Sequence, residues 1–210
     1  MPSRLAFIIS VLFHPLLLPT FVLGLMLFIS PNLITVVSTK GRWVLLELIF
    51  LLTFSIPALV MIILKRLQII SSLSLPNLKE RQLPFAIICT IYVATAYLLY
   101  LLTQQIYLDE KLLLVFGSIC FSLFLLTLTT FFYKISAHNL AIAGVFGGML
   151  AFALRYEESI LGFPLAITAV LWGAVASARL SLKAHNLPEI FWGSMLGFWV
   201  NFLVILFWKL

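Results

Sequence analysis

Long apolar runs broken by short polar stretches set the pattern of this chain. Apolar residues fill seven segments, at about 5–29, 43–63, 84–103, 112–132, 139–154, 160–178 and 189–208. Most approach or exceed the roughly 20 residues that carry a helix across the hydrocarbon of a bilayer. Lipid offers backbone N–H and C=O groups no partner, so such runs fold as helices. The two-residue alternation of a membrane barrel strand is absent. The pattern predicts an all-α, polytopic transmembrane helix bundle of about six to seven spans, forming a single integral membrane domain over residues 1–210. The opening MPSRLAFIISVLFHPLLLPT has one basic residue, a long apolar run and no small-residue cleavage site, which predicts a retained first span.

Composition agrees. Hydrophobic residues make up 63% of the chain and charged residues 10%, whereas a soluble domain carries about 25% charge. The 13 Lys and Arg against 7 Asp and Glu give a formal charge of +6. No clustered basic and aromatic surface accompanies that excess, so nucleic acid is not the expected partner. The excess suits loops that face anionic headgroups of membrane lipids or a phosphorylated substrate. Cys89 and Cys120 both fall inside predicted spans and read as small apolar packing residues.

Successive spans divide the connections into two sets. One holds the N-terminus, 64–83, 133–138 and 179–188, with Arg4, Lys65, Arg66, Lys79, Arg81, Lys134, Arg179 and Lys183. The other holds 30–42, 104–111, 155–159 and the C-terminus, with Lys40, Arg42, Lys111, Arg155 and Lys209. Positive charge favours the first set on the cytoplasmic side. That count decides nothing once Lys79, Arg81, Arg179 and Lys183 are assigned to a phosphate. His138 and His185 also belong to the first set, so side chains capable of chemistry gather on one face.

The stretch SARLSLKAHNLPE, from Ser177 to Glu189, is the densest of these polar breaks. Arg179 offers a fork of donors suited to phosphate oxygens. His185 follows six residues later, and Glu189 four after that, on the same face if the segment is helical. An imidazole acts as a nucleophile when a carboxylate holds its other N–H. The same letters also read structurally. Asn186-Leu187-Pro188-Glu189 makes a helix capping box, and Arg179 and Lys183 can snorkel to headgroups. KISAH, residues 134–138, adds Ser136 and His138 on the same face.

In these residues the chain resembles the type 2 phosphatidic acid phosphatase superfamily. Its S-R-x5-H-x3-D motif is matched by Arg179, His185 and Glu189, with glutamate for aspartate and the serine displaced to Ser177. Its P-S-G-H motif is matched by Ser136 and His138. Its K-x6-R-P motif is represented by Lys79, Arg81 and Pro84 at contracted spacing, with Ser74 where the lysine is expected. The resemblance covers roughly residues 75–200. It implies a phosphohistidine mechanism without metal or cofactor. His185 would attack phosphorus, Glu189 would orient it, and His138 would serve as acid and then as base. Arg179, Arg81, Lys79 and Ser136 would hold the phosphate oxygens. The substrate class implied is a lipid phosphate or diphosphate, isoprenyl or glycerolipid. The setting implied is the cell (inner) membrane, with the site facing away from the cytoplasm.

Other residues carry blander expectations. His14, inside the first apolar run, is expected to bond a neighbouring helix. Glu47 reads as a structural or proton-handling carboxylate near the opposite interface. Gly193 and Gly197 permit close helix approach, within the bundle or across a homodimer seam, and Gly144, Gly147 and Gly148 suggest similar contacts. A His/His/Glu zinc site lacks an H-E-x-x-H pairing and has cationic neighbours. Two rivals to a phosphatase remain, a lipid phosphotransferase with the same site and a non-catalytic lipid-binding or assembly relative. A transporter fits poorly with ionisable groups gathered at one face instead of the midplane.

Overall fold

The computed structural model describes residues 1–29, 38–106 and 109–208; Lys209 and most of the 30–42 connection fall outside them. Among the described residues there are eight α-helices and no strand. They are α1 (Ser3–Leu12), α2 (Leu18–Ile29), α3 (Thr39–Arg66), α4 (Leu78–Ile106), α5 (Glu110–Thr129), α6 (Ala137–Tyr156), α7 (Gly162–Ser181) and α8 (Leu187–Phe207). The six from α3 to α8 are long and apolar enough to cross a membrane, and the chain is a multi-pass membrane protein.

The first apolar run does not make one span. It breaks into α1 and α2 at Phe13–Leu17, because Pro15 has no N–H and disfavours helical geometry at His14. The His14 ring helps fix the break, its Nδ1 accepting the Leu16 N–H at 3.3 Å. Pro19 then sits in the first turn of α2, where a missing N–H breaks no helical bond.

The chain divides into two compact units, residues 19–134 and residues 1–18 with 135–210. In the unit of residues 19–134, a π-turn at Leu51–Ser55 precedes Pro57. Proline cannot donate to the carbonyl four residues back, which here is that of Thr53. That oxygen instead accepts the Tyr92 hydroxyl at 3.1 Å, joining α3 to α4. The charges of LKERQLP fold the preceding loop onto α4. Glu80 takes the Ser71 N–H and hydroxyl at 2.9 and 2.7 Å and the Asn77 amide at 2.7 Å. The buried Arg81 donates its Nε–H to the Leu75 carbonyl at 2.9 Å. Glu47 lies on an exposed face of α3.

In the other unit, α6 and α8 run parallel along a seam of small residues. Every fourth residue of one helix meets every fourth of the other, Ser136 with Gly193, Leu140 with Gly197, Gly144 with Asn201 and Gly148 with Ile205. A Cβ at Gly193 would lie 2.6 Å from the Ser136 carbonyl oxygen, and one at Gly147 would lie 2.5 Å from that of Phe198. Backbones can approach this closely only without a side chain between them. Gly193 and Gly197 therefore serve an internal contact, one of the two uses their spacing allowed. α7 returns antiparallel between these two helices in sequence. It packs through Val175 on Ile142 and Leu18, with Ile9 and Phe13 of the N-terminal segment against that core.

Candidate active site

Because α6 and α8 are parallel and α7 antiparallel, the start of α6, the end of α7 and the start of α8 meet at one end of this unit. α7 closes with Leu182, Lys183 and Ala184. Lys183 adopts left-handed φ of 52°, and the N–H groups of Lys183 and Ala184 bond the carbonyls of Leu180 and Arg179 at 2.9 and 3.1 Å. This pattern turns the chain sharply at a helix end. It delivers His185 directly to Asn186, the N-cap of α8, whose side chain accepts the Glu189 N–H at 2.9 Å.

This stretch holds both a helix cap and a His–Glu contact. Asn186 caps the helix, while the Glu189 carboxylate reaches back to His185. Its Oε2 lies 2.5 Å from His185 Nδ1, with side-chain exposures of 12% and 3% respectively. A carboxylate accepts, so Nδ1 carries a proton, and in the neutral ring the lone pair lies on Nε2. That is the tautomer an imidazole nucleophile requires.

Ser136 caps α6. Its fully buried hydroxyl accepts the Asn139 N–H at 3.3 Å and donates to Asn139 Oδ1 at 3.1 Å, while its own N–H bonds the Glu189 carbonyl at 3.0 Å. The hydroxyl expected to reach a phosphate is engaged in starting the helix. Its backbone instead ties the first turn of α8 to the start of α6.

His138, at the second position of α6, donates its Nε2–H to the Ser10 carbonyl at 3.2 Å. Ser10 stands in the last turn of α1, where carbonyls have no helical partner left. In the neutral ring Nδ1 is then the basic nitrogen. Arg179 Nη1 lies 3.5 Å from the Ser10 hydroxyl, and its Nε is buried without a hydrogen-bond partner in the protein. Burial, and after it the Arg179 guanidinium, hold His14 below the usual imidazole range.

The structure therefore brings Arg179, His138, His185, Glu189 and Ser136 together in one unit. Lys79, which is exposed, and Arg81, which is buried, belong to the unit of residues 19–134. To the group of His138 and His185 the structure also adds Ser10 and His14, which the sequence had not placed there. The His14 ring meets that of His138 edge to face, with centroids 5.5 Å apart. The signal that could have found it was the dipeptide His14-Pro15, a polar break inside an apolar run.

In the same unit, α8 and Trp172 of α7 border an apolar groove of about 580 Å³. Leu187, Pro188, Phe191, Trp192 and Met195 line it, so it begins within two residues of His185. The Trp172 Nε1–H is satisfied by the Ser194 hydroxyl at 3.0 Å. Among the described residues, no group of three or more His, Cys, Asp or Glu side chains is arranged to hold a metal ion.

Chemically, the arrangement offers a carboxylate-oriented imidazole with its lone pair on Nε2, a second imidazole, and a guanidinium of which one N–H is unsatisfied. No family model, no curated protein and no solved structure matches the chain.

Proposed function

We propose that this protein is a membrane lipid phosphatase that hydrolyses a lipid phosphate or diphosphate through a phosphohistidine at His185. The observation that carries the reading is the 2.5 Å bond from His185 Nδ1 to Glu189 at the start of α8, where the end of α7 brings Arg179. His185 Nε2 attacks phosphorus, and the bond from phosphorus to the leaving oxygen breaks. Arg179 neutralises charge on the phosphoryl oxygens. His138, protonated at Nδ1, gives that proton to the leaving oxygen, and the neutral ring then takes a proton from the water that attacks the phosphohistidine. Phosphate leaves, and His185 regains its lone pair. The groove along α8 supplies an apolar surface for the substrate's tail, isoprenyl or acyl. The resemblance to the type 2 phosphatidic acid phosphatases extends the proposal to the cell membrane, with the site facing away from the cytoplasm.

A second reading, a non-catalytic lipid-binding relative, is favoured by one specific observation. Arg81 Nε is held by the Leu75 carbonyl and the Ser136 hydroxyl by Asn139, so two expected phosphate contacts have other tasks.

The deciding experiment measures phosphate release from isoprenyl and glycerolipid phosphates by the purified protein, with and without EDTA, beside His185→Ala. The expected result is release unaffected by EDTA and abolished by the substitution. Release lost to EDTA would sink the metal-free mechanism. No release from any lipid, with His185→Ala indistinguishable from wild type in lipid binding, would favour the second reading.

A further inference from the structure

The chain has three histidines, and all three lie in the unit of residues 1–18 and 135–210. Two are used by the mechanism above. The third, His14, comes from the break between α1 and α2, far from either motif in sequence.

Its hydrogen bonding defines its chemistry. The Leu16 N–H donates to His14 Nδ1 at 3.3 Å, so Nδ1 holds a lone pair and the ring's proton sits on Nε2. His14 is thereby fixed as a donor at Nε2. The perpendicular His138 ring, 5.5 Å away between centroids, has its own Nε2–H committed to the Ser10 carbonyl. The other His138 proton, at Nδ1, is directed in the mechanism above to the leaving oxygen, so this ring supplies no separate donor to the phosphoryl oxygens. Ser136, the hydroxyl donor expected beside it, is fully buried in the cap of α6. Arg179 is the cation of this group, its buried Nε–H unsatisfied within the protein.

We propose that His14 is a phosphoryl-binding residue, donating its Nε2–H to a substrate oxygen in place of the donor that Ser136 does not supply. In this reading the His14-Pro15 break places an imidazole at the site, and α1 is one of its walls. The ligand class is a tetrahedral oxyanion bearing at least one phosphoryl group. The inference rests on the phosphate reading of the His185 group.

Amide side chains separate donation from packing. In His14→Asn the amide oxygen replaces Nδ1 as acceptor for Leu16, but the donor at Nε2 is gone. In His14→Gln the longer amide can return an N–H near the Nε2 position. The experiment uses the full chain in nanodiscs with 15N-labelled histidine, so that three imidazoles report, titrated with orthovanadate and, separately, with inorganic phosphate. The expected result is a shift of the His14 Nε2 signal on titration. Affinity should fall roughly tenfold in His14→Asn and recover substantially in His14→Gln. Shifts at His138 and His185 alone, with His14→Asn binding as wild type, would overturn the role of His14 and leave the phosphate reading standing. No shift at any imidazole with either anion, together with no release from lipid phosphates, would bring down the phosphate reading and this inference with it. If His14→Asn does not fold, the wild-type His14 signal decides alone.

Discussion

The α6–α8 seam and the α4–α5 contact join helices by different means. Along α6–α8, glycines let backbone meet backbone, and a single added methyl group would collide with a carbonyl. Between α4 and α5 the links run through side chains. Thr127 Oγ1 reaches the Phe85 carbonyl, Cys120 Sγ the Tyr92 carbonyl and Gln82 Nε2 the Thr130 carbonyl, each at 3.5 Å. Thr127 is also bonded to its own helix at 2.8 Å, so its longer link is shared. Bonds this long are weak and tolerate small shifts. Side chains can rotate to follow a neighbour, whereas a backbone seam cannot. The rigid seam carries Ser136, His138 and Glu189, which are the groups whose mutual geometry chemistry would need held within about half an ångström.

This comparison can be broken most directly at the seam. Gly147→Ala should destabilise the protein by about 3 kcal/mol, since overpacking a tight core costs roughly that much. Thr127→Val, which removes one of the three α4–α5 links, should cost about 0.6 kcal/mol, the average for hydrogen bonds between membrane helices. Reversible unfolding in mixed micelles measures both, and equal losses would erase the distinction. A separate substitution sharpens the account of Ser136. Ser136→Ala should lower stability by about 1 kcal/mol through loss of the cap, yet leave vanadate affinity nearly unchanged. Anion binding lost with stability intact would return the hydroxyl to the phosphate. A change of opposite sign is expected at Gly117 of α5, where a Cβ would meet nothing within 4 Å. Gly117→Ala should stabilise by up to about 1 kcal/mol, the helix-propensity gain alone.

Much of the fold was legible because lipid demands apolar length, and apolar length is visible in a sequence. α3 to α8 follow the runs read from residue 43 onward. The first run misled because hydropathy counts apolar atoms and not backbone freedom. Pro15 and Pro19 interrupt the helix without interrupting the oil. The stretch from Arg179 to Glu189 was legible in both of its readings, since a carboxylate at the third position of α8 lies within reach of the residue before the cap. Ser136 was ambiguous for a physical reason. A serine that starts a helix and a serine that binds an anion are the same letter in the same place. The spacing of Gly193 and Gly197 announced a close approach but not its partner, because register is a property of two surfaces. The contact of His14 with His138 was not legible, because the two lie far apart in sequence.

The hydrogen bond from the Ser136 N–H to the Glu189 carbonyl has a mechanical consequence. Helices tilt to match the thickness of the bilayer around them. Joined at this end and locked along the glycine seam, α6 and α8 must lean together. A thicker or thinner membrane would then rotate His138 and the Glu189–His185 pair as one body, leaving the separation between the two imidazoles largely independent of the lipids outside.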